Sequence, residues 1–358
     1  VEFRVLKYGG RGRFKTCPYV AVVIFAILFI AQITFAAPLS IEGNFHGIFD
    51  NLENKFGAEG SGTVFGANAD LSVGFLPSRN SGVFIGVNFF QQYGDENTGD
   101  GFSPIMSFRF QDDINNFVFG TMPRSLLINY HDYILSKHWQ FQNPVFQGLF
   151  FEQDFGALNW AVWADWVGMQ SENTRERFIH GHNLTGTFIL NDQSYLLLGY
   201  QFIYDHIALR SGVGHGDHVE DVGAFVGNIS YRALGEQNSR IREFRGGFRG
   251  MFRYNRQREF TKNYQISAGV EVYTGLDFGL FDIGYSHYFK VRDVVRFPYE
   301  FETGDDRFLA DFGQADILVR FLDRDEAKVN FTLSFIPTDG GVNHRQTMQV
   351  VVPIRVGR

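Results

Sequence analysis

The chain has 358 residues, of which 17% are aromatic, 40 are glycine and one is cysteine. Its 32 basic and 39 acidic side chains give a net charge of −7, a balance that disfavours a nucleic-acid partner. The single cysteine excludes a disulfide framework, and the length allows one large domain or two.

Arg4, Lys7, Arg11, Arg13 and Lys15 precede an apolar run at 20–33, and Thr34-Phe35-Ala36-Ala37 offers small residues for cleavage. That order predicts a secretory signal peptide over 1–36 and one domain over 37–358. Cys17 would leave with the signal, so thiol chemistry would be absent from the exported chain. Five basic residues and one acidic one, Glu2, would leave too, keeping 27 basic against 38 acidic, a balance of −11.

Beyond the signal the chain alternates in period two, the period of strands with two unlike faces. Residues 41–50 form a glycine-rich first candidate strand, followed by 68–76 with Leu71, Val73 and Phe75 on one face. Strand 82–93 then sends Val83, Ile85, Val87 and Phe89 to one side, and 102–110 pairs with 114–122 around a short acidic turn. The segment 123–144 breaks the rule. It has no clean alternation, yet Leu126, Leu127, Ile128, Tyr133, Ile134 and Leu135 make it too apolar for a solvated loop. It is predicted to pack inside whatever the strands enclose, with Tyr130, His131, Tyr133, His138 and Trp139 as its candidate functional members.

Strands 145–153, 158–168, 183–190 and 194–206 continue the pattern, the last with Leu196, Leu198, Tyr200, Phe202 and Tyr204 on its apolar parity. The clearest alternation follows, in 242–254 and 264–273. Phe244, Phe248, Phe252 and Tyr254 share one parity, while Arg245, Arg249 and Arg253 form a basic ladder on the other. Strands at 219–232, 279–289, 309–322, 327–336 and 346–356 complete the set. On polar parities, Glu271, Asp282, Asp311, Asp316, Arg320, Lys328 and Arg355 join the ladder as candidate lumen or constriction residues.

Almost no helical pattern remains to cover so many apolar strand faces. A closed membrane barrel resolves this, with apolar residues toward lipid, polar ones toward a lumen and no unpaired edge. The expectation is therefore an all-β, single-domain, antiparallel transmembrane barrel of 16 strands, with 14 or 18 as alternatives. Connections also alternate between longer and shorter along the chain, as expected for long outer loops and short periplasmic turns with both termini periplasmic.

This whole-chain pattern resembles the bacterial outer-membrane porin superfamily. The resemblance implies that 123–144, matching the third outer loop, folds inward to narrow the lumen. It also implies a passive channel for small polar solutes, assembled by the barrel-assembly machinery, surrounded by outer-membrane lipid and lipopolysaccharide, and with a homotrimer as one possible state. The final residues depart from the porin pattern, which ends in an aromatic; here the chain reads Val356-Gly357-Arg358.

Two other classes fit the same barrel: a non-conducting structural or binding barrel at the cell surface, and a lipid-modifying enzyme. For the enzyme, His131, Asp132, Ser136 and His138 would supply a base, an acid and a nucleophile, although no Gly-x-Ser-x-Gly elbow or His-Glu-x-x-His motif accompanies them. His180 with His182, and His215 with Asp217 and His218, have spacings that could bind a transition metal but are predicted in solvated outer loops. No cofactor fingerprint is present. The expectation from residues and resemblance together is a channel without catalysis, metal or cofactor.

Overall fold

The computed structural model describes residues 39–53, 62–94, 101–124, 130–169, 175–208, 219–236, 239–258, 264–292, 311–338 and 340–356. The candidate signal peptide, 1–36, and the His215–His218 group lie outside the described residues. Sixteen strands form one closed sheet. In chain order they are β1 (Leu39–Glu53), β2 (Gly62–Phe75), β3 (Ser81–Gln92), β4 (Phe102–Gln111), β5 (Asn115–Pro123), β6 (Val145–Asp154), β7 (Leu158–Gly168) and β8 (Arg177–Asn191). There follow β9 (Ser194–Ile207), β10 (Glu220–Leu234), β11 (Glu243–Gln257), β12 (Gln265–Asp277), β13 (Phe281–Arg292), β14 (Phe312–Arg324), β15 (Ala327–Thr338) and β16 (Gly341–Val356). One short helix, α1 (Lys137–Gln142), lies between β5 and β6.

Each strand pairs antiparallel with its sequence neighbours, and β1 closes on β16 from Ile41↔Val356 to Glu53↔His344. Closure gives every strand two partners, which a hydrocarbon solvent requires because it offers no hydrogen bonds of its own. No helix among the described residues is long and apolar enough to cross a membrane; the strands do the crossing. Their outward parities carry the exposed apolar side chains, for example Phe244, Phe248 and Phe252 on β11 and Ile85, Val87 and Phe89 on β3. The protein is an outer-membrane β-barrel.

One rim carries the turns 76–80, 112–114, 155–157, 192–193 and 278–280, and both ends of the barrel chain lie there. The other rim carries most of the longer connections. Several strands extend further than alternation suggested. β8 begins at Arg177, so His180 and His182 stand on a strand and not in a loop. β12 runs through Gly275, Leu276 and Asp277, which had the composition of a turn. β16 begins at Gly341, leaving a two-residue connection at the rim where a longer loop was expected. The physical reason is common to two of these. Polar residues at strand ends resemble a loop until their partners across the wall are seen: Arg177 Nη2 bonds Asp205 (2.6 Å) and Arg345 Nε bonds Asp50 (2.7 Å).

Inside the barrel, residues 130–144 of the segment between β5 and β6 cross the lumen. Phe141 lies edge-on to His46 of β1 (5.7 Å between centroids) and near Phe90 of β3 (5.2 Å). On the other side Arg253 of β11 donates to the Tyr133 carbonyl at 2.6 Å. Tyr130, Tyr133, Ile134, Leu135 and Trp139 are buried against inward residues such as Val118, Phe146, Trp163 and Ile203. Helix α1 starts at Ser136, whose hydroxyl accepts the Trp139 N–H (3.1 Å), an N-cap that satisfies one otherwise orphaned donor.

Arg124 staples the two ends of this segment. Its guanidinium donates to the carbonyls of Asn143 (2.7 Å) and Val145 (3.0 Å) and pairs with the buried Asp165 carboxylate at 2.5 Å. Removing one partner of such a pair strands the other charge in a poorly hydrated site. Arg124→Met is therefore expected to destabilise the barrel by about 3–5 kcal/mol, measured as a lower urea midpoint for unfolding in micelles. An unchanged midpoint would show that the ion pair adds nothing beyond the apolar packing.

Candidate functional site

The luminal residues are strongly cross-linked. Arg245, Arg249 and Arg253 stand on one face of β11 because they are two or four residues apart, and each has a partner. Arg245 makes two bonds to Asp282 of β13 (2.7 and 2.5 Å). Arg249 bonds Glu271 of β12 (2.6 Å) and lies over the Tyr273 ring (3.7 Å). Arg253, almost fully buried, lies over the Tyr133 ring at 4.3 Å. Arg320 of β14 reaches Asp277, Asp282 and the Gly279 carbonyl. Asp316 accepts from Gln314 (2.7 Å).

Three acidic or basic candidates stand apart from this group. Asp311 is exposed just before β14 and accepts the Lys290 N–H. Lys328 is exposed near the β14–β15 turn, 4.0 Å from Asp323, and Arg355 is exposed near the end of β16. The structure does not bring them to a common constriction.

Of the inward segment's candidates, Tyr130, Tyr133 and Trp139 are core side chains, and the Trp163 indole N–H donates to Tyr130 Oη (2.8 Å). Both ring nitrogens of His131 are engaged. Nδ1 accepts the Tyr133 N–H (3.2 Å), and Nε2 lies 3.3 Å from Glu271 Oε2. A general base needs one ring nitrogen open to the proton it takes, so this arrangement suits anchoring. His138 belongs to α1, but its side chain lies outside the described residues. The sequence-based set of His131, Asp132, Ser136 and His138 does not form a catalytic group, since the Ser136 hydroxyl is spent on capping. Between this segment and the rim of tight turns, a polar chamber of about 590 Å³ remains, lined by Asn228, Arg249, Glu271, Tyr273 and Asp316 among others.

A second concentration of polar groups lies on the opposite face of the wall. On β9 the apolar parity Leu196, Leu198, Tyr200, Phe202, Tyr204 continues to His206. Register places His206 opposite Asp221 of β10, and Arg256 of β11 is in turn opposite Asp221. All three belong to the outward parities, where their more central neighbours Leu198, Phe225 and Phe252 face lipid.

Asp221 is covered by its partners. It accepts from Tyr204 Oη (2.6 Å), pairs with His206 Nδ1 (2.9 Å), and accepts from Arg256 (3.1 Å) and Arg258 (2.7 and 3.0 Å). Charge-assisted bonds of this kind are roughly twice as strong as neutral ones. Arg258, just beyond β11, has its pKa raised above the ordinary value by the bonds to Asp221. Among the described residues, His206 Nε2 has no protein hydrogen bond. His180 and His182 lie on the same outer wall, their Nε2 atoms 2.7 Å apart. No group of three or more metal-ligating side chains occurs among the described residues.

Below this cluster, toward the tight-turn rim, an apolar groove of about 740 Å³ runs across the outer wall from β7 to β12. Leu184, Tyr200, Phe225, Phe248 and Phe252 border it, and Gly227 and Gly250 lie within it. Alternation alone treated the cluster and groove residues as ordinary lipid-facing or strand-end positions. The signal that could have revealed the site is the run of ionisable residues on lipid-facing parity, which is costly in a membrane wall and therefore points to function.

The architecture is that of the porin-like outer-membrane barrels. The chain is similar to a loop-L8 deletion mutant of OmpT, an outer membrane protein of Vibrio cholerae, with a TM-score of 0.52 and 11% identity, covering 89% of this chain and all 100% of that one. Similar folds occur in OccAB1 of Acinetobacter baumannii (TM-score 0.48, 9% identity, 89% and 97% of the two chains). Salmonella typhi OmpF in complex with daunomycin is another (TM-score 0.47, 10% identity, 90% and 99%). A search of curated protein sequences returned no match.

The family comes from the sequence. The lipid A 3'-O-deacylase-type profile matches residues 32–210, half of the chain, and the protein belongs to that family. This membership overturns the expectation of a passive channel without catalysis, because the family is described by a lipid-modifying activity. The structure agrees that the lumen is organised around packing: its basic ladder is tied up in ion pairs and its inward aromatics are buried.

The anchoring role of the ladder can be measured. Arg253→Ala is expected to raise hydrogen exchange in 130–142 by at least about tenfold, because a buried charge-assisted bond contributes about 1.5–3 kcal/mol. Exchange at wild-type rates would show that apolar packing alone holds the segment.

Proposed function

We propose that the protein is an outer-membrane lipid hydrolase that removes an O-linked acyl chain from a lipid of the lipid A class. The observation that carries this reading is the His206–Asp221 dyad, placed on the lipid-facing wall beside two arginines and above an apolar groove. Family membership supplies the reaction class. In the orientation we propose, the rim of longer connections faces outward and the turns and termini are periplasmic. The dyad would then meet the outer leaflet, where lipopolysaccharide resides, after export directed by 1–36.

In this mechanism Asp221 holds the His206 Nδ1–H, fixing the tautomer and leaving the Nε2 lone pair as the base. Nε2 takes a proton from water as the water oxygen adds to the ester carbonyl. The oxyanion would be stabilised by the Arg258 guanidinium, whose Nε and one terminal nitrogen hold Asp221. Collapse breaks the bond between carbonyl carbon and headgroup oxygen, and the departing oxygen takes the proton from His206. A fatty acid and a free hydroxyl leave. Arg256, lying over Tyr264 at 4.6 Å, adds positive charge for an anionic headgroup.

Mass spectrometry of lipid A incubated with the refolded full chain tests the proposal. Loss of one O-acyl chain with release of fatty acid is expected. His206→Gln should slow it by about 10²–10⁴-fold, with heat-modifiable mobility unchanged as the control for folding. Intact lipid A after prolonged incubation with wild-type protein, or full activity in His206→Gln, would reject the assignment.

A further inference from the structure

We infer that the outer-wall groove is an acyl-chain subsite and that Gly250 determines the length of chain it accepts, an inference that rests on the hydrolase reading above. The groove and the polar cluster share strands β9, β10 and β11. Gly250 is six residues from Arg256 on the same outward parity of β11, which places it about 20 Å along the wall from the cluster. A fatty acyl chain whose ester lies at His206 and whose headgroup meets Arg256 and Arg258 would run down this track. Charge selects the occupant: two guanidiniums at one end suit an anionic headgroup, and the rest of the track is apolar.

The glycines in the groove differ. Gly227 and Gly250 are register partners. A Cβ on Gly227 would approach the Phe225 ring to 3.2 Å, so packing already restricts it. A Cβ on Gly250 would meet nothing within 4 Å, and Gly250 is absent from the positive-φ glycines. Neither backbone conformation nor a neighbour demands glycine here. A glycine inside a strand carries an entropic cost and packs no side chain. What it does provide is empty space between Phe248 and Phe252, in line with the cluster. Groups of increasing size at this one position would shorten the groove from inside while leaving its walls unchanged.

The test uses the purified full chain in detergent and a lipid A series carrying short, medium or long O-acyl chains. Binding is read by native mass spectrometry in the His206→Gln background, and hydrolysis by fatty-acid release in the active background. Gly250→Leu is expected to reduce retention of the longest-chain lipid by about tenfold, the effect of losing contact for about two methylenes. Retention of the shortest should be unchanged, and Gly250→Ala should give a smaller shift in the same direction. Leu198→Trp, narrowing the groove from β9, provides a second obstruction should Gly250→Leu fail to fold.

Retention that is unchanged in both variants, or reduced equally for every chain length, overturns the subsite. If wild-type protein releases no fatty acid while Gly250→Leu still discriminates by length, the hydrolase reading falls and the subsite stands. If wild type and Gly250→Leu hydrolyse with one and the same chain-length profile, hydrolysis stands and the role of Gly250 is rejected.

Discussion

The constraint on which this structure depends is the absence of hydrogen-bonding solvent in the bilayer. Every backbone N–H and C=O in the wall must find a partner within the protein, and a closed ladder of antiparallel strands meets that demand without an edge. β1 therefore returns to β16 over thirteen register pairs. Closure then divides each strand into lipid-facing and lumen-facing residues, and the rest of the molecule is a consequence of that division. Apolar side chains on the outside cost nothing. Ionisable ones there need an explanation, and that requirement directs attention to His206, Asp221 and Arg256.

The lumen presents the reverse problem. A barrel of this size encloses more space than its own inward side chains fill, and here residues 130–144 cross it. Their aromatic side chains form a core with inward residues of several strands, Arg124 pairs with Asp165 of the wall, and Arg253 of β11 donates to the Tyr133 carbonyl. The chemistry that looked suited to transport is used for internal cross-linking. A basic ladder in which each member has a specific partner stabilises and orients a packed segment. It is a poor source of the unsatisfied field that would sort ions.

A porin-like shape carrying a lipid A 3'-O-deacylase-type sequence shows how far fold and function separate in this architecture. The barrel recurs in the Vibrio cholerae OmpT deletion mutant at 11% identity, and a shape shared at that distance carries no reaction class. Half of the chain nevertheless matches a lipid A 3'-O-deacylase-type family. An enzyme whose substrate resides in the membrane does not need a lumen. It needs polar chemistry at the outer wall near the headgroup level, with an apolar track for the acyl chain. The neighbouring cluster and groove fit those two requirements, whereas the polar chamber inside the barrel lies on the far side of the wall from lipid.

The barrel was legible in the sequence because its cause is local: each residue's parity determines which solvent it meets, and alternation of Phe with Arg along 244–253 records that directly. In the 123–144 segment, apolar content unsuited to water pointed inward, and Tyr133, Ile134 and Leu135 are buried against inward strand residues. Strand ends were harder, because residues such as Arg177 and Arg345 resemble loop until Asp205 and Asp50 are brought beside them. The site lies at the limit of such reasoning. His206, Asp221 and Arg256 are separated in sequence by connections whose lengths carry no register information, and only the pairing of β9, β10 and β11 places them side by side on the outward face. Sequence by itself determined the period and the membrane; tertiary structure decided which charges meet, because cross-strand register is a property of the closed sheet and not of any one strand.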